Sequence, residues 1–190
     1  MAKVAVVFHS GYGHTKKQAE AVAAGAASVT GAEVDLIPID AEGNLPSDGW
    51  DKLAAAHAIV FGSPTYMGMA SWQFKKFADA SSKIWFTMGW KDKLGAGFTN
   101  SASLNGDKHS TLHYFFTLAM QQGMLWAGTA MMPSSAKSAT RNDVNALGSA
   151  AGAMAATPSD ASAEEVNPGD METAKLFGKR IAEQAARINK

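Results

Sequence analysis

The chain contains no cysteine. That absence excludes disulfides, thiolate catalysis, Cys-ligated zinc and iron–sulfur clusters, and it makes a reducing cytoplasm the expected setting. Net charge is also missing, since 17 Lys and Arg offset 17 Asp and Glu. A nucleic-acid surface is normally basic and a membrane-surface patch polybasic, so neither partner is expected. Neutrality equally weakens an acidic carrier that docks on its partners by charge. No apolar run approaches the roughly 18 residues a membrane span requires. What remains is an ordinary globular composition, 46% hydrophobic and 18% charged over 190 residues, most simply one domain spanning 1–190.

The rest of the chain is organised around Lys3–Thr15, KVAVVFHSGYGHT. The β-branched run Val4–Phe8 reads as a strand buried on both faces. It breaks into the small polar loop Ser10-Gly11-Tyr12-Gly13-His14-Thr15, after which an Ala-rich helical pattern begins. Such a junction holds phosphate: glycines let the backbone approach an anion, and a helix N-terminus presents unpaired N–H donors and a positive dipole end.

Further strands are expected at Glu33–Asp40, Ala58–Gly62, Lys93–Asn100 and Met124–Met132, alternating with helical patterns. Ser81–Lys93, with Trp85, Phe86, Met88 and Trp90, reads as an insertion. Trp85 and Trp90 there are read either as core or as part of a subunit interface. Residues 133–168 are rich in Ala, Ser and Gly and read as a long connection. Pro168-Gly169-Asp170 opens the last helix. Five β–α units imply an α/β fold: a flavodoxin-like, doubly wound, five-stranded parallel sheet of order 2-1-3-4-5 with helices on both faces. Its ligand crevice lies beyond the strand ends at the switch point, where the loops after strands 1, 3 and 4 meet.

Three phosphate ligands compete for the first loop. A Walker-type loop needs Gly-x4-Gly-Lys-Ser/Thr, and the spacing after Gly13 fails. A dinucleotide fingerprint finds Gly11-x-Gly13 but Lys16 where the third glycine belongs; Glu33 and Asp35, near the ribose-binding position, keep it open. A monophosphate cradle fits the hydroxyls of Ser10, Tyr12 and Thr15 and the Gly11–Thr15 amides, with no acid among them. FMN is the cofactor commonly held this way in such an architecture. His14 would either help neutralise the phosphate or be a turn histidine bonded to backbone. His109 and His113, four apart at a helix start, read as solvated surface residues rather than metal ligands.

Lys3–Thr15, Phe61–Gly68 (FGSPTYMG) and Ala119–Gly123 resemble the tryptophan-repressor-binding-protein type of NAD(P)H:quinone oxidoreductase, a flavodoxin-like FMN family whose members are commonly tetramers. The resemblance implies that Ser10, Gly11, Tyr12, Gly13, His14 and Thr15 hold the phosphate of noncovalent FMN. It implies that Pro64, Thr65, Tyr66, Met67 and Gly68, with Asn100, Ser101, Ala102, Ser103, Leu104 and Asn105, lie against the flavin ring and ribityl chain. Tyr12 aligns with a nicotinamide-contacting position, and Trp85 with an aromatic given to a neighbouring subunit's substrate cavity. Gln121-Gln122 replaces a His pair, making Gln122 a substrate-facing candidate of altered character; Thr-Tyr-Met stands where the family often has Thr-Arg-Phe. The implied reaction is ping-pong: two electrons pass from NADH or NADPH through the flavin to a quinone, with no protein nucleophile. A one-electron flavodoxin-type carrier and a non-catalytic FMN-binding regulator are the alternatives.

Overall fold

The structure is a computed structural model that describes residues 1–189. The chain runs through β1 (Ala2–His9), α1 (His14–Ala27), β2 (Ala32–Ile39), α2 (Gly49–Ala55), β3 (Ala58–Tyr66), β4 (Met69–Ala70), α3 (Trp72–Ala80), α4 (Ser82–Trp85), β5 (Leu94–Ser101), α5 (Lys108–Gln121), β6 (Leu125–Trp126), β7 (Ala153–Ala156) and α6 (Pro168–Ile188). The main sheet is parallel with order β2-β1-β3-β5-β6. That is the doubly wound, flavodoxin-like order expected from the sequence, and the switch point lies between β1 and β3.

Both faces of the sheet are covered, which is why its central strands read as continuous apolar runs. Val4, Val6 and Phe8 pack with Val22, Phe177 and Ile181 of α1 and α6. Ala5 and Val7 face the other way, with Ile59, Phe61, Phe74, Phe77, Trp90 and Phe115. Helices α1 and α6 approach closely: a Cβ added at Gly178 would lie 1.9 Å from the Val22 carbonyl oxygen. Trp90 is fully buried and packs against Phe61 and Phe77, so it belongs to the core and not to an interface. Trp72 stands 61% exposed at the start of α3, while Ser71 Oγ caps the helix by accepting from the Phe74 amide at 3.3 Å.

The fifth position of the sheet departs from the sequence expectation. Instead of one strand over Met124–Met132, two short segments share it. β6 pairs with the start of β5 (Leu94 with Leu125, Gly95 with Trp126), and β7 with its end (Phe98 with Ala153 through Ser101 with Ala156). Residues 127–152 form an excursion between them. The Ala127 amide still reaches the Gly95 carbonyl at 2.9 Å, but the Thr129 amide donates to Ala150 at 2.9 Å and the chain leaves the sheet. Residues 133–167 are therefore not all connection. The return strand, Ala-Met-Ala-Ala, lies in a segment whose small residues carry little strand signal.

β3 also runs past Gly62 to Tyr66 and turns through Met67 (φ 49°) and Gly68 (φ 79°) into β4. Two successive residues with positive φ give the turn that matches strand twist in a hairpin. The segment read as a loop is thus a stiff hairpin standing beside the crevice.

Candidate functional site

At the β1–α1 junction the turn is built by Ser10. Its Oγ accepts from the Gly13 and Lys16 amides, each at 3.1 Å. Gly13 adopts φ 90°, and no acid occupies the first turn of α1. The amides of His14 and Thr15 open the helix and so have no intrahelical acceptor. A phosphate-sized anion at this end would meet free donors and a favourable dipole.

A cavity of about 130 Å³ opens on this junction, lined by Tyr12, His14 and Thr15 with Pro64, Thr65, Tyr66, Asn100, Ser101, Ala102, Thr157 and Ser159. Three loops that the topology brings to the switch point therefore share one pocket. Thr15 is buried. His14 is buried as well, with Nε2 2.8 Å from the Ala161 carbonyl oxygen, an acceptor only, so Nε2 carries the proton. His14 thus lines the cavity and ties it to the segment before α6. Thr65 Oγ1 is 2.8 Å from Thr99 Oγ1 and 2.7 Å from Thr111 Oγ1, fixing the base of the hairpin. Tyr66 leans over the Ser10–Thr15 loop, where a Cβ at Gly11 would lie 2.4 Å from its hydroxyl. Burial, and secondarily Tyr12, raises the Tyr66 phenol above its ordinary pKa. Tyr12 meets Tyr66 edge-on at 6.3 Å and is 72% exposed, so one aromatic face looks outward beside the cavity mouth.

The remaining sequence-predicted residues distribute unevenly. Ser10, Gly11 and Gly13 form the turn behind the cavity wall. Met67 and Gly68 sit at the hairpin tip and do not line it. Ser103, Leu104 and Asn105 form the outer part of the next loop and line neighbouring cavities. Trp85 and Gln122 line a separate cavity of about 270 Å³ with Asp79, Ser81, Ser82 and Leu118. Gln122 sits just past the C-terminal end of α5, whose 14 residues span about 21 Å from the Lys108 end. One chain therefore does not bring Trp85 and Gln122 to the Tyr12 cavity. Gln122 is buried and donates to Ser81 Oγ at 2.8 Å. His109 and His113, with ring centroids 6.2 Å apart, line another cavity beside Met69 and Tyr114.

Sequence reasoning missed Thr157, Ser159 and Lys108. Thr157 follows β7 and receives the Asn100 Nδ2 hydrogen bond at 2.9 Å, while its own amide donates to Ser101 at 3.0 Å. Nothing short of locating β7 could reveal it. Lys108 is buried at the start of α5 and donates to Ser101 Oγ and the Ser103 carbonyl, both at 2.7 Å, and to the Leu104 carbonyl at 2.9 Å.

Residues 3–138 match the profile of the NADPH-dependent FMN reductase family. The chain belongs to that family. The cradle fits such a cofactor, because its donors are neutral amides and hydroxyls, no carboxylate opposes a dianion, and Gly13 supplies the tight turn. Family membership makes the protein an FMN-dependent oxidoreductase, with NAD(P)H as co-substrate.

Among relatives, a Pseudomonas aeruginosa protein named flavodoxin FldP is 50% identical over 182 residues, covering 96% of both chains. An NAD(P)H dehydrogenase (quinone) from Geotalea uraniireducens is 34% identical over 206 residues, covering 98% of both. A crystal structure described as a flavodoxin, WrbA-like protein from Agrobacterium tumefaciens superposes with a TM-score of 0.80 at 49% identity, covering 98% of this chain and 99% of that one.

Proposed function

We propose that this FMN oxidoreductase reduces quinones by two electrons at the expense of NADH or NADPH. The observation that carries the proposal is the β1–α1 junction: free amides at a helix start, beside buried Thr15, with no acid in the first turn. In this reading Ser10 shapes the turn, the His14 and Thr15 amides and the Thr15 hydroxyl bind the phosphate, and Gly11 and Gly13 allow its close approach. His14 anchors the far wall through Ala161. The cavity of about 130 Å³ is smaller than the 300–1,000 Å³ usual for a whole cofactor or drug-sized ligand. It would take the phosphate end, with Tyr12, Tyr66 and the 100–105 loop as the residues that would border the flavin. Bound there, FMN supplies hydride acceptance and delivery at its N5.

The protein's part is binding, orientation and exclusion of water. Thr65, held by Thr99 and Thr111, fixes the hairpin whose Tyr66 borders the ring. Outward-facing Tyr12 gives nicotinamide or quinone an aromatic face. We further propose a cytoplasmic homotetramer in which Trp85, 42% exposed beside exposed Phe86 and Met88, completes a neighbouring subunit's substrate cavity, with Gln122 behind it. That arrangement explains why a single chain keeps Trp85 away from Tyr12.

The flavodoxin named among the relatives favours a second reading, a one-electron carrier. Anaerobic mixing separates the two. Rapid bleaching of the purified yellow protein by NADH or NADPH, then recolouring by benzoquinone, supports the oxidoreductase. A yellow protein inert to both nucleotides supports the carrier, and a colourless protein that FMN cannot reconstitute overturns both.

A further inference from the structure

The loop between β5 and α5 closes around one buried cation. The Lys108 ammonium has three protons and meets three neutral acceptors, Ser101 Oγ and the carbonyls of Ser103 and Leu104. None of the ion pairs among the described residues includes it, and Asp170, the acid whose charge it feels, is already paired with Arg141. The position is unfavourable for a lysine, because the first turn of a helix repels cations.

Peptide geometry turns this clasp into an orienting device. Across a trans peptide unit the C=O and the following N–H point in opposite directions. With the Ser103 and Leu104 carbonyls turned in to Lys108, the Leu104 and Asn105 amides face away from it, on the exposed side of the loop. Gly106 closes the clasp with φ 54°, and a Cβ there would lie 2.1 Å from Ser101 Oγ. Ser101 itself lines the proposed cofactor pocket.

We propose that Lys108 is a positioning residue for the FMN site: it sets the Leu104 and Asn105 amides outward as donors to the cofactor and holds a positive charge behind the loop that favours the reduced, more negative cofactor. The proposal rests on the FMN-binding reading above. Burial pulls the Lys108 amine down to about 8, which leaves it largely protonated at neutral pH; Asp170 opposes that lowering and Arg141 adds to it.

The test uses apo-protein titrated with FMN and the two-electron midpoint potential of the loaded protein. Lys108→Met is expected to weaken oxidised FMN about tenfold and to move the midpoint about 30 mV more negative, the equivalent of a further tenfold loss for reduced FMN. Ser101→Ala removes one acceptor and keeps the charge, so it is expected to weaken FMN while leaving the midpoint unchanged. A Lys108→Met protein with wild-type affinity and midpoint overturns the proposal, as does one that loses stability alone. Should Lys108→Met fail to fold, wild-type FMN affinity in Ser101→Ala overturns it. A wild-type protein that binds no FMN instead overturns the functional reading beneath it.

Discussion

Thr15 is where a single charge decides the site. It is buried at the cavity wall, in a helix start with no acid in its first turn. A carboxylate placed there would stand about 4 Å from a bound phosphate, a repulsion of about 4 kcal/mol at the dielectric typical near a protein surface. Thr15→Glu is therefore expected to cut FMN affinity nearly a thousandfold with the circular dichroism spectrum unchanged; retained affinity would put the phosphate elsewhere. Lys108 makes a prediction of opposite character. Its amine titrates near 8 in the folded chain and near 10.5 when unfolded, so between those values the unfolded chain binds more protons. Its contribution to stability then rises with pH across that window. Urea midpoints measured from pH 7.5 to 10.5 should climb more for wild type than for Lys108→Met, and parallel curves would contradict the assignment. Thr15 was legible in the sequence because hydroxyls and glycines crowd a strand-to-helix break. Lys108 was not, because a lone lysine near a helix start reads as solvated until the 101–106 loop is folded over it.

Among elements, the β5–α5 loop is held by the Lys108 clasp, while the 127–152 excursion is tied to α6 by several polar contacts, Asn145 to Thr173, Asn142 to Asn167, Gly128 to Arg180 and Arg141 to Asp170. Gly106→Ala forces a Cβ onto Ser101 Oγ in a left-handed backbone, a strain of about 1–3 kcal/mol. Its expected signature is a lower urea midpoint with FMN affinity reduced in parallel. Asp170, buried at the start of α6, accepts two hydrogen bonds from Arg141 of the excursion and one at 2.9 Å from the Ala156 amide of β7. Replacing one partner of a buried pair typically costs about 3–5 kcal/mol. Asp170→Ala should lose about that much, and amide exchange should quicken first in β7 and 133–152; uniform quickening throughout the chain would contradict that role. Strands β1 and β3 could be read because apolar, β-branched runs sat between turn signals, and β2 and β5 because short segments with apolar residues, EVDLIPID and KLGAGFTN, alternated with helical patterns. β7 could not, because Ala153–Ala156 carries little strand signal of its own and finds its partner, the end of β5, only after the long 127–152 excursion. The β3–β4 hairpin was missed for a related reason: its tip uses Met67 at positive φ, where glycine is the usual signal.

At the scale of the whole molecule, doubly wound topology does most of the work of assembly, bringing loops from β1, β3 and β5 to one pocket. The neutral net charge leaves recognition of NAD(P)H, and of the proposed quinone, to local donors and aromatic faces rather than to long-range steering. Exposed Trp85, Phe86 and Met88 belong to the proposed tetramer, and a monomer by sedimentation at micromolar concentration would contradict that assembly. The claim everything else rests on is that a terminal phosphate is held at the β1–α1 junction. Titrating the apo-protein with FMN and, separately, with riboflavin isolates that group. The account predicts one FMN per chain and riboflavin bound at least about a hundredfold more weakly, the loss of about two charge-assisted hydrogen bonds. Equal affinity for the two would contradict it.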